Sequence, residues 1–459
     1  MNTEINDTIA AISTCFGEAG IGIIRLSGPD AFSVVSRFFH PCGKLSIDEF
    51  PSHTVHLGKI LDKEKLIDEA LLTVMKSPKS YTGENMAEIS CHGGVYILRK
   101  TLEMCLENGA RQAEPGEFTK RAFLNGKIDL SQAEAVCDVI KAKTESALSC
   151  AAQQLQGSLR IFVDEQKRKI VDLLATIEAG IDYSEDDIES CSMPEIISAI
   201  LTSEKSIENI ISTFHIGKIF KEGVKTAIIG KPNVGKSSLL NILSGSDRAI
   251  VTEIPGTTRD LIEETVSIRG IPLILVDTAG IRQHTSDAVE KIGVERAMNA
   301  ANYADLVLFV ADASRPLTAD DEKIAECLVS KKVILVLNKS DLPGKITDIE
   351  DLGVNAPSVK ISALKNTGIE ELKTAIYGVC VSEDINLGGF LLTNIRHKTL
   401  LENVLKSLSS ARAAALKGMS EEFIALDLRA ALDYLGKITG EVTTEDILGV
   451  IFSRFCVGK

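Results

Sequence analysis

The sequence predicts a multidomain chain that mixes α+β and α/β architecture, with an α/β domain inserted into a helical one. Three observations carry this. A strand-and-turn texture, with prolines at 29, 41, 51, 78 and 115, runs to about residue 118. A stretch without proline, rich in alanine, leucine and glutamine, follows between Pro115 and Pro194, and helical spacing returns after residue 380. Between these helical pieces lie short apolar runs that each end in polar residues, the mark of a parallel sheet with functional loops at its strand ends.

The elements follow in chain order. "GIGIIRLSG" is an apolar run bracketed by glycines, which predicts a buried strand. "YTGENMAEISCHGG" alternates and closes on a glycine pair. Ser131 with Glu134 fits a capping box that opens one helix through "SQAEAVCDVIKAKTESALSCAAQQLQ". "RIFVDEQKRKIVDLLATIEAGIDY" is a second helix, and the acidic "SEDDIES" behind it reads as a solvated loop. "VKTAIIG", "IPLILVDTAG", "ADLVLFVAD" and "KKVILVLNKSD" are the inserted strands. Leu401, Leu405 and Leu408 line one late helix face, and Ile424, Leu428, Ala431 and Leu435 another. The expected units are 1–118, a helical domain from 119–220 and 380–459, and the insert at 221–379.

Composition narrows the function classes. The 459 residues are 44% hydrophobic and 25% charged, ordinary for a globular chain of several domains. No apolar run reaches membrane-spanning length, and "MNTEINDT" lacks a basic leader region, so a cytoplasmic protein is expected. Ten cysteines without a CxxC pair read as reduced thiols. A net charge of −14 argues against indiscriminate grip on nucleic-acid backbone, though not against a local docking patch.

"GKPNVGKSS" matches the phosphate-binding pattern directly after a strand and before a helix. Gly230 and Gly235 let the backbone curl so that the N–H groups of Asn233, Val234, Gly235, Lys236, Ser237 and Ser238 face phosphate. Lys236 reaches the β- and γ-phosphates and Ser237 ligates Mg²⁺. "DTAG" (Asp277, Thr278, Ala279, Gly280) ends another strand, with Asp277 holding Mg²⁺ through water. In "NKSD", Asn338 and Lys339 precede Asp341, whose carboxylate accepts from guanine N1 and the amino group, which adenine cannot supply. Ser362 and Ala363 face the base oxygen, and Thr258 in "GTTRD" is the switch threonine for Mg²⁺. In this order the motifs describe a Ras-like P-loop domain that binds GTP.

One position is unusual. After DTAG stands Ile281, which cannot orient an attacking water. Arg259 and Arg282 are candidate fingers; an arginine finger is worth about 10³–10⁵ in rate. Alternatively, Asn233 together with switch carbonyls can ligand a monovalent cation that plays the same part. Asp287 and Glu290 are the first carboxylates able to hold a water.

"GKPNVGKSS", "VTEIPGTTRD", "DTAGIR…VEKIGVERA", "PGEFTKRAFLNGKIDLSQAEA" and the terminal "FCVGK" together resemble the bacterial MnmE (TrmE) family of tRNA modification GTPases over essentially the whole chain. The resemblance implies a potassium-dependent GTPase, with K⁺ on the side chains of Asn233 and Thr257 and the carbonyls of Thr252 and Ile254. It places Glu253, Pro255 and Gly256 in the same nucleotide-binding loop and makes Glu290 the water-orienting residue. The "RQHTSDAVE" stretch is one residue longer than the family pattern.

The resemblance further implies a folate-binding-like N-terminal domain that mediates a homodimer. This domain holds a tetrahydrofolate one-carbon derivative through Arg25, Glu88, Lys127 and Lys459. From the residues alone, a surface or interdomain salt bridge is the preferred reading of each, and the resemblance reverses that preference. Cys456 is a candidate nucleophile, or else a small anchor for the tail. The implied partners are the FAD-bearing MnmG, in a heterotetramer or larger, and tRNA. A ribosome-assembly GTPase and a folate-sensing GTPase remain the alternatives.

Overall fold

Strand alternation sorts the N-terminal residues between the two faces of one sheet. The structure is a computed structural model and describes residues 6–182, 192–246, 264–276, 300–329, 331–344, 356–381 and 389–459. The first unit comprises β1 (Ile9–Ile12), β2 (Ala19–Ser27), α1 (Ala31–Ser36), β3 (Phe39–Pro41), β4 (Thr54–Asp62), β5 (Lys65–Met75), β6 (Met86–Gly93), α2 (Val95–Glu107) and β7 (Arg111–Gln112). Its sheet order is β3-β4-β5-β6-β2-β1-β7, antiparallel except where β1 meets β7. Ile24, Leu26, Ala87 and Ile89 turn to one face and pack with residues of α1 and α2. The intervening Arg25 and Glu88, register partners across β2 and β6, turn to the other.

The helical part begins with α3 (Glu117–Leu124), α4 (Leu130–Lys141), α5 (Glu145–Leu155), α6 (Ser158–Asp182), α7 (Met193–Ser212) and α8 (Phe214–Glu222). Two sequence expectations are corrected here. The N-cap of α4 is Asp129, boxed with Gln132, and not Ser131 with Glu134. Asp129 accepts from both Ser131 Oγ (2.6 Å) and Gln132 N (2.9 Å), and so takes the capping role two residues earlier. The single long helix is also two: Thr144 caps a fresh helix by accepting from Ala147 N at 3.2 Å. "SEDDIES" lies outside the described residues.

The insert contains β8 (Val224–Ile229), α9 (Lys236–Ser246), β9 (Glu264–Ile268), β10 (Ile271–Val276), β11 (Leu306–Asp312), α10 (Ala319–Glu326), β12 (Lys332–Asn338), β13 (Ser358–Lys360) and α11 (Ile369–Cys380). The sheet order is β13-β12-β11-β8-β10-β9, parallel except for β9 at the edge. Its strands are near-continuous apolar runs because both faces are covered. β8 sits between β11 and β10, so the loop after it opens at the crevice where such sheets bind ligands.

The chain then returns through α12 (Ile395–Leu416), α13 (Glu421–Thr439) and α14 (Glu445–Phe452). One core joins Ile170, Ile200 and Ile207 to Leu401, Leu408, Ile424, Leu428, Ala431 and Leu435, across the insert. Leu405 is only partly buried. The seam is also pinned by charge: Arg412 to Glu204 at 2.9 Å, Arg429 to Glu178 at 2.5 Å, and Arg396 to Glu134 at 2.9 Å.

Candidate functional site

The phosphate loop is shaped by glycines that nothing else can replace. At Gly230, φ is +147° and a Cβ would lie 2.2 Å from Val310 O. At Gly235, φ is +100° and a Cβ would lie 2.1 Å from Asn338 Nδ2. Asn233 holds a left-handed φ of 64°. Lys236 opens α9, and its Nζ donates to Gly230 O and Lys231 O, both at 2.7 Å. Burial pushes its amine down to about 8. Ser237 and Ser238 follow on the first turn of α9, whose N-terminal N–H groups favour an anion.

The base loop is tied to the phosphate loop by one side chain. Asn338, 2% exposed, donates from Nδ2 to Val234 O at 2.8 Å and accepts at Oδ1 from Ala363 N at 3.0 Å. It staples the end of β12 to both neighbouring loops. Asp341 Oδ1 accepts from Ser362 Oγ at 2.6 Å, and that bond holds the carboxyl below its ordinary range. Asp341, Ser362 and Ala363 therefore stand together, as a base edge requires. Lys339, at φ 65°, pairs with Asp312 at 2.7 Å.

Sequence reasoning missed Asp312, Asp321 and Thr318. Asp321 takes Lys231 Nζ at 2.6 Å and Thr318 Oγ1 takes it at 2.8 Å, which anchors the phosphate loop to the start of α10. A capping-box reading of Thr318 and Asp321 was the available signal. Thr252, Glu253, Ile254, Pro255, Gly256, Thr257 and Thr258 lie outside the described residues. So do Asp277, Thr278, Ala279, Gly280 and Glu290, along with Arg259, Ile281, Arg282 and Asp287.

A second constellation forms where the C-terminal tail meets the N-terminal sheet. Arg25 and Glu88 pair across the strands at 2.8 Å. Arg25 Nη1 also donates to Gly458 O at 3.3 Å, and Ser13 Oγ donates to the same carbonyl at 3.1 Å. Gly458 has φ +92°, and a Cβ there would lie 2.5 Å from Ile12 O, so the tail lies flush on β1. Burial and the Arg25 charge push the Lys459 amine down, while Glu88 pulls the other way. The guanidinium of Arg25 stands 5.8 Å from the Tyr81 ring centroid and 5.7 Å from that of Phe118.

The structure thus brings Arg25, Glu88 and Lys459 together. It turns Lys127 to a different partner, Pro78 O, at 3.0 Å. Cys456 is exposed, and its carbonyl accepts from Gly116 N at 3.3 Å. Tyr81 and Phe118 escaped sequence reasoning because neither has a local pattern that points to the cleft. A planar cation between aromatic faces, a carboxylate and a terminal amine fit an anionic ligand with a flat, N–H-bearing ring.

The profile described as "MnmE helical domain" matches residues 130–456, and that described as "GTP-binding protein TrmE N-terminus" matches residues 8–127. The chain is similar to the tRNA modification GTPase MnmE of Thermoanaerobacter pseudethanolicus, 51% identical with 99% of each chain covered. It is likewise similar to that of Clostridioides difficile, 50% identical over 99% of this chain and all of the relative.

Proposed function

The chain belongs to the MnmE family of tRNA modification GTPases, and on that premise we propose that it hydrolyses GTP to drive modification of tRNA. The reaction is addition of an aminomethyl or carboxymethylaminomethyl group to carbon 5 of the wobble uridine of certain tRNAs, in the cytoplasm and together with MnmG. The carrying observation is the union, in one chain, of a phosphate loop tied to a guanine-type base loop by Asn338 and a charged cleft closed by the chain's own tail.

In this reading Lys236 and the α9 amides bind the β- and γ-phosphates, and Asp341 selects guanine. Ser237 and Thr258 hold Mg²⁺. Water attacks the γ-phosphorus and the bond to the β–γ bridging oxygen breaks, giving GDP and phosphate. Asn233, whose left-handed backbone sets it at the loop's exposed edge, fits a cation ligand set with Thr252, Ile254 and Thr257. Potassium bound there supplies the positive charge that an arginine finger supplies elsewhere. Glu290 orients the water. Arg25, Glu88 and Lys459 hold the tetrahydrofolate one-carbon derivative, and Lys127 joins them by exchanging its present partner, Pro78 O, for the ligand. Cys456, exposed and three residues before Lys459, is the candidate nucleophile. The N-terminal unit, 1–118, forms the homodimer.

Mass spectrometry of tRNA nucleosides from cells lacking the gene tests the reading. Loss of aminomethyl-type uridines, restored by the intact chain but not by Lys236→Ala, is expected; an unchanged profile would sink it. Exchanging K⁺ for Na⁺ at fixed ionic strength is expected to slow GTP turnover, and equal rates would remove the cation from the mechanism.

A further inference from the structure

Helix α4 is in contact with both chain crossings of the insert and with the C-terminal tail, and the elbow that follows it meets a turn of the insert itself. Glu134, in its first half, accepts from Arg396 Nε and Nη2, both at 2.9 Å, where the chain leaves the insert. Asp138, one turn on, pairs with Lys221 at 2.7 Å, where the chain enters it. Lys141, at the end of the helix, donates to Arg454 O at 3.3 Å, and Cys137 Sγ lies 3.9 Å from the same carbonyl. Arg454 begins the tail whose Gly458 carbonyl is held by Arg25 and Ser13.

Beyond Lys141 comes an elbow, residues 142–144, and the elbow touches the β9–β10 turn. Thr144 Oγ1 donates to Gly270 O at 2.9 Å while capping α5, and Lys143 Nζ donates to Thr265 Oγ1 at 3.2 Å. Gly270 has φ +86°, and a Cβ there would stand 2.0 Å from Ser146 Oγ, so the backbone of the turn seats directly against the Ser146 side chain at the start of α5. This turn is placed between the two nucleotide-sensing motifs. β9 begins soon after Thr258, and β10 ends at Val276, directly before Asp277.

A helix of three turns moves as a body, and its side-chain contacts move with it. We propose that α4 and its elbow set the position of the C-terminal tail according to the nucleotide held at the phosphate loop, with Lys141 as the positioning residue on the tail side and Thr144 on the insert side. The proposal rests on the guanine-nucleotide and cleft readings above. Lys141 is none of the nucleotide-binding or cleft residues named above. It acts through the Arg454 carbonyl.

Hydrogen exchange of amides 453–459 in the full-length protein, with GDP and with a non-hydrolysable GTP analogue, tests this. In the parent, tail protection is expected to differ between the two nucleotides by about fivefold or more, the usual size of a coupling between sites. In Lys141→Ala and in Thr144→Val the difference is expected to vanish while GTP turnover stays within about twofold of the parent. Lys141→Arg, which keeps the donor, is expected to restore it. A parent tail indifferent to nucleotide overturns the proposal, as does a full response retained in both deletion variants. Absence of nucleotide binding in the parent would remove the reading beneath it, and is seen separately in the turnover control. Binding of 5-formyltetrahydrofolate, measured in the same samples, reports on the cleft independently of the tail.

Discussion

Lys236 is a half-buried amine whose proton is held weakly until a phosphate arrives. Its amine sits at about 8 instead of 10.5, because burial disfavours the charge. Bound phosphate favours the charged form and raises the value. Nucleotide affinity is then fully present below pH 8 and falls as pH rises past it, by up to about tenfold per unit. Calorimetric titration of GDP at pH 8.5 in two buffers of different ionisation enthalpy should show net proton uptake, and no uptake at pH 6.5. Lys236 was legible in the sequence because phosphate chemistry demands contiguous residues: the glycines, the lysine and the serine must all lie within one turn of chain. Arg25, Glu88 and Lys459 were not legible from chemistry alone. They come together only when a tail 433 residues from Arg25 folds back on β2, and no local spacing encodes that.

At the scale of elements, the seam between the two helical pieces leans on a buried carboxylate, Glu134. Burial alone would raise Glu134; His397 and Arg396 outweigh it and hold the carboxyl at about 2. His397 Nε2 lies 2.5 Å from Glu134 Oε2, and burial lowers the imidazole below its ordinary value. The signs agree. Glu134's contribution is complete above pH 4.5 and is lost as pH falls through about 2. The neutral imidazole costs stability as acid protonates the unfolded chain below pH 6.5. Arg396→Ala strands the carboxylate and should cost about 3–5 kcal/mol in urea unfolding at pH 7; a loss below about 1 kcal/mol would contradict the seam's dependence on it. The sequence mistook this residue. Glu134 sits where a capping box predicts a local partner, but its partner is 262 residues away. The apolar faces of α12 and α13 were legible because helical periodicity survives any tertiary arrangement. The break at Thr144 was not, because a threonine cap needs no proline or glycine to announce it.

For the molecule as a whole, the two sites should be separable by mutation although they belong to one device. Arg25→Ala and Lys459→Ala are each expected to weaken 5-formyltetrahydrofolate binding by about tenfold or more, the loss of a charge-assisted contact. GTP turnover in both should match the parent. Arg25→Ala also leaves Glu88 without its partner, so its effect should exceed that of Lys459→Ala. If turnover fell in parallel with folate affinity, the cleft and the phosphate loop could not be treated as distinct.

The places where the chain enters and leaves the insert lie side by side. A Cβ at Gly217 would sit 2.3 Å from Leu392 O, and Leu392 N donates to Thr213 Oγ1 at 3.0 Å. The helical domain is therefore a host with one small aperture among the described residues, and the α/β domain a guest held to it by two adjacent threads and by the docked β9–β10 turn. Such a guest can be cut out and the aperture closed by a few glycines at little entropic cost. The host is expected to fold without it, with α-helical circular dichroism and cooperative unfolding intact. What the guest would take with it is the pull on the β9–β10 turn, leaving a tail that still finds its cleft but no longer knows when to.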